Sequence, residues 1–76
     1  MYVVINEAML NMNHFPIVTI SSDKDSILFA YEDEFNMPTE VFFDSPEAAK
    51  AAMEQIAVGI SQEQHIIEIT GGRFER

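Results

Sequence analysis

The sequence predicts a small α+β domain: a mainly antiparallel sheet of four to five strands with one helix packed on one face. Three observations carry this. Runs rich in β-branched and aromatic residues recur at 2–5, 15–22, 27–32, 39–43 and 65–70. One apolar stripe at helical spacing separates the last two of them. The chain has 76 residues, 47% of them hydrophobic. That is enough for one core, too little for two, and too apolar for disorder.

Each element has a local reason. Tyr2 to Ile5 is β-branched and aromatic on both faces, which suits a central or interface strand. Residues 7–13 follow, with Asn6, Asn11 and Asn13 interrupting any pattern, and read as a loop. Phe15 to Ser22 reads as a strand with Pro16 at its start, where a missing donor is tolerated. Ser22 to Ser26 is polar and turn-forming. It lacks Asn-Gly or Asp-Gly, so a loop of three to five residues is expected rather than a tight turn. Ile27 to Glu32 returns antiparallel, with Ile27, Phe29 and Tyr31 on one face. Residues 33–38 form the next loop, and Thr39 to Phe43 completes a three-strand meander, Val41 and Phe43 facing one way.

The helix start is the clearest local signal. Ser45 can cap the first-turn amides, Pro46 suits the first helical position, and Glu47 complements the positive end of the dipole. Ala49, Ala52, Met53, Ile56 and Ile60 make the stripe, and Gly59 is the expected stop. His65 to Thr70 is the last strand. Gly71-Gly72 ends it, and residues 71–76 read as a flexible tail of a single domain. The expected core is Val4, Ile17, Phe29, Val41, Phe43, Met53, Ile56 and Ile67. Apolar residues left on the second sheet face suggest a homodimer.

Charge bounds the function. There are 13 Asp and Glu against 4 Lys and Arg, a formal net charge of -9. Asp23, Asp25, Glu32, Asp33, Glu34, Glu40, Asp44 and Glu47 share one stretch with a single base, Lys24. Such a surface repels phosphate backbones and anionic membranes and attracts basic partners. Neither direct nucleic-acid binding nor membrane association is expected. With no Cys, no disulfide staples the fold and no thiolate binds metal. No targeting segment is visible and no apolar run approaches membrane-spanning length, so the cytoplasm is the expected location.

Motifs for chemistry are sparse. Asp23-x-Asp25 begins like a calcium loop with Glu34 at the twelfth position. Ile27 at the fifth and Leu28 at the sixth cannot supply the ligand and the turn. His14 and His65 are the only histidines and lack metal-ligand spacing. Gly71-Gly72 invites comparison with a ubiquitin-like tail, but the strand order before the helix opposes it. No nucleophile elbow, Walker loop or dinucleotide fingerprint is present, so no enzyme activity and no cofactor are expected. A small hydrolase or metal-binding protein is the remotest alternative.

The function expected is a small, acidic, non-catalytic interaction module that docks on a basic protein surface. Its sharpest form is an inhibitor, or nucleic-acid mimic, of a nucleic-acid-handling protein. Small acidic bacteriophage inhibitors act so as a class, an analogy of charge and size alone. Glu32, Asp33, Glu34 and Glu40 would steer association, and Phe35 and Met37 would anchor it. The alternative is a self-associating, homodimeric structural module with no basic partner.

Overall fold

A computed structural model of the chain describes residues 1–21, 24–31 and 37–75. Among them, six strands and one helix run in the order β1 (Tyr2–Ile5), β2 (Ala8–Asn11), β3 (Ile17–Ile20), β4 (Ser26–Ala30), β5 (Thr39–Phe42), α1 (Pro46–Ser61) and β6 (Ile66–Ile69). The class is α+β, as expected. The single sheet of four to five strands is not: the strands form two three-stranded sheets, ordered β2-β1-β6 and β3-β4-β5.

The β3-β4-β5 sheet is the antiparallel meander read from the sequence, with Val18 opposite Phe29 and Ile27 opposite Val41. Five positions separate β3 from β4, of which 22 and 23 lie outside the described residues. The first sheet departs further. The segment expected as a loop contains β2, which pairs antiparallel with β1 through Ile5 and Ala8. Asn6 and Glu7, the two residues between, have φ of 47° and 71°. Two left-handed residues match the twist of a two-residue hairpin. Asn accepts that conformation readily and Glu does not, so the turn carries no Asn-Gly signature. After the helix, β6 returns parallel to β1, pairing Tyr2 with Ile66 and Ile5 with Ile69.

Helix α1 begins as predicted. Ser45 Oγ accepts a 3.1 Å hydrogen bond from the Ala48 amide, and Pro46 opens the first turn. Gly59 does not end it. The helix continues to Ser61, and Gly59 is buried against β6, where an added Cβ would lie 2.5 Å from the Ile67 side chain. The real stop is at Glu63, with φ 55°. Its amide donates to the Ile60 carbonyl, and that of Gln64 donates to Gly59. This is the paired bonding of a Schellman end, with Glu where Gly is usual.

The helix packs on β6 from one sheet and on β3 and β4 from the other, not on one face of one sheet. The core between them is Val3, Ile5, Phe15, Ile27, Phe29, Val41, Phe43, Ala49, Ala52, Ile56, Ile67 and Ile69. Phe15 meets Phe29 edge-on at 6.3 Å. Three expected core residues are elsewhere: Val4 and Met53 are half-buried, and Ile17 is 48% exposed. β1 is apolar on both faces, so its own residues do not fix which face turns inward. The register with β6 does, placing Val3 and Ile5 beside Ile67 and Ile69. In β3, Val18 shares the inner face with Phe29 and leaves Ile17 outside.

Within the segment read as a flexible tail, residues 73 and 74 are held to the rest of the fold. Gly71 and Gly72, with φ of 77° and 85°, turn the chain from β6 toward β5. Arg73 and Phe42 there exchange backbone hydrogen bonds of 2.7 and 2.9 Å, linking the two sheets. Arg73 also pairs with Asp44 at 2.8 Å, and Phe74 packs against the core. Among the described residues no helix is long and apolar enough to cross a membrane.

Candidate functional site

Of the six residues predicted to contact a partner, Glu32, Asp33, Glu34 and Phe35 lie outside the described residues, as does Glu34 of the calcium-like pattern. Met37 precedes β5 and Glu40 lies within it. Met37 is 85% exposed, an unshielded apolar side chain beside Pro38. Glu40 is half-buried and takes part in an internal network. Its Oε2 lies 2.5 Å from Ser26 Oγ, which lies 2.7 Å from Ser21 Oγ. The carboxylate can only accept, so Ser26 donates to Glu40 and Ser21 donates to Ser26. Ser26 is fully buried. Its hydroxyl is closed to any substrate, and the chain of hydrogen bonds ties β3, β4 and β5 together across their polar positions.

Six of the described acids are displayed outward. Glu7, Glu47, Glu54, Glu63, Glu68 and Glu75 are exposed, and none has a cationic partner among the described residues. Asp44 pairs with Arg73 at the surface. His14 and His65 are exposed and belong to separate segments. Among the described residues no three His, Asp or Glu side chains converge as a metal site.

Two concave surfaces stand out. One, of about 380 Å³, is lined by Ile20, Ser21, Lys24, Pro46 and Lys50. The other, of about 350 Å³, runs between α1 and β6. Its helix wall is Ala51, Glu54, Gln55, Val58 and Gly59, and its strand side is Gln64, Ile67 and Glu68. Ile67 points into the core and Glu68 to the opposite side of the sheet. A groove reached by both must follow the edge of β6, which among the described residues pairs with β1 alone. From the sequence Gly59 is read as a helix stop and Ile67 as core, and no residue of this groove is read as a contact site. Its Glu54 and Glu68 read as ordinary solvated positions until the topology makes β6 an edge.

The outer face of the first sheet is apolar. Register places Tyr2, Val4, Met9 and Ile66 on it, with Asn11 and one carboxylate, Glu68. Tyr2, Met9 and Ile66 are exposed. Comparison of the chain with family models, with curated proteins and with solved structures finds no match.

Proposed function

We propose that this chain is an acidic, non-catalytic interaction module that docks on a basic protein surface. The observation that carries the reading is the set of six exposed carboxylates with no cation paired to them among the described residues, in a chain of net charge -9. Carboxylates that stabilised the fold would be paired or hydrogen-bonded, as Glu40 and Asp44 are. Unpaired ones at a surface raise the rate of encounter with positive charge. Met37 supports the reading, because an exposed methionine beside an acidic segment suits an apolar anchor. In its sharpest form the partner is a nucleic-acid-handling protein, whose basic groove the acids of 32–34 occupy in place of phosphates, with Glu40 held back in its internal network.

A second reading has its own observation. The outer face of the β2-β1-β6 sheet is apolar and nearly uncharged, so two copies can meet there with most of their acids held away. The two readings separate in one experiment. The tagged chain captures its partner from host extract treated with nuclease, at rising salt, beside a variant with Glu32, Asp33 and Glu34 changed to Lys. A basic protein retained by the wild type, released by salt and lost by the variant is the expected result. Undiminished capture by the variant refutes the acidic contact at 32–34. Recovery of the bait alone, with a two-chain mass by light scattering, selects the homodimer.

A further inference from the structure

We infer that the open edge of β6 and the groove beside it receive an extended basic polypeptide segment, which adds to the β2-β1-β6 sheet as a fourth strand. The inference rests on the acidic-module reading and names the surface and partner chemistry within it.

Backbone geometry supplies the first part. β6 pairs in parallel with β1, and the Tyr2 amide donates to the His65 carbonyl at 2.8 Å. In a parallel ladder each bonded residue spans the two residues flanking its partner. Tyr2 and Val4 therefore engage His65, Ile67 and Ile69. The N–H and C=O groups of Ile66 and Glu68 point the other way, along the side of β6 where the sheet has no further strand among the described residues. An unpaired row of this kind is a template for strand addition.

The groove supplies the second part. An incoming strand would set alternate side chains on opposite faces. One set would meet the helix wall at Ala51, Glu54 and Val58, and the other would lie beside Ile66 and Glu68. Val58 and Ile66 are each about half exposed and offer apolar contact. Glu54 and Glu68 offer charge on the two sides, and no Lys or Arg lines the groove. A segment mixing basic and apolar residues matches both. A second copy of this chain does not. Pairing β6 with β6 would crowd two Glu54 and two Glu68 into one groove, and facing like charges oppose strand pairing.

The test is a titration of the isotope-labelled chain with a short synthetic peptide of alternating lysine and valine, followed by amide NMR and hydrogen exchange. The expected result is slowed exchange at Ile66 and Glu68 with shift changes along residues 51–58. The double variant E54K/E68K should bind at least about tenfold more weakly, because both attractive charges become repulsive. Ile66→Pro, which deletes one outward N–H and no bond to β1, should also weaken binding. Because that variant risks misfolding, the wild-type exchange data decide. Peptide binding that leaves the Ile66 and Glu68 amides unprotected overturns the β6 site while sparing the acidic-module reading. Failure of this peptide and of polylysine to bind at all overturns both.

Discussion

Ser26 carries the polar burden of the core. It is the buried polar residue of the described chain, in the strand that also contributes Ile27 and Phe29. A buried hydroxyl without partners costs stability, whereas one that both donates and accepts is neutral or better. Here it does both, to Glu40 and from Ser21. Removing the hydroxyl leaves two partners short of a bond in a half-buried setting. Ser26→Ala should lower unfolding stability by about 1–3 kcal/mol, read as a shift in urea midpoint at constant slope. Glu40→Gln, which keeps an acceptor oxygen, should cost less. Equal losses would show that the charge of Glu40, and not the hydrogen bond, matters. The same network bears on function. A Glu40 engaged inside the sheet is a weaker candidate for partner contact than exposed Met37, a distinction its place in the acidic stretch does not reveal.

At the level of elements, legibility follows the strength of local chemistry. Ser45-Pro46 placed the helix start because cap and φ restriction act within three residues. The meander was legible because β4 and β5 alternate with large apolar side chains on one face. The β1–β2 turn and the helix end were not, and for one reason: each uses a left-handed Glu where Gly would have announced it. Glu7 has φ 71° and Glu63 φ 55°. The β1–β2 ladder holds the first and the backbone bonds of the helix end hold the second, in a conformation that costs a non-glycine residue roughly 1 kcal/mol. Glu7→Gly and Glu63→Gly should therefore each stabilise the fold by about 0.5–1 kcal/mol, checked by chemical denaturation. Destabilisation at either site would mean that its side chain makes contacts worth more than the backbone strain. The groove was illegible for a different reason. Glu54 and Glu68 become neighbours of one surface only when β6 pairs in parallel with β1, and parallel pairing is a non-local choice.

The whole molecule is small relative to the reach of its charge. Its extents are 29 × 27 × 21 Å. The screening length is about 30 Å at 0.01 M salt and about 8 Å at 0.15 M. At low salt every carboxylate therefore feels every other, and a net charge of -9 opposes compaction. The Arg73–Asp44 pair offsets little of this, since it is exposed and contributes at most about 1 kcal/mol. Cohesion comes instead from the shared core and from the Arg73–Phe42 bridge that closes one sheet onto the other. Two opposite salt responses follow. Raising NaCl from 0.01 to 0.15 M should stabilise the free chain by on the order of 1 kcal/mol, as self-repulsion is screened. The same change should weaken its complex with a basic partner, as attraction is screened. Urea midpoints of the free chain and affinities for polylysine, measured across one salt series, give both slopes. Stability that falls with salt would show that favourable charge pairs outweigh the repulsion, and the unpaired acids could not then be the surplus that a basic partner neutralises.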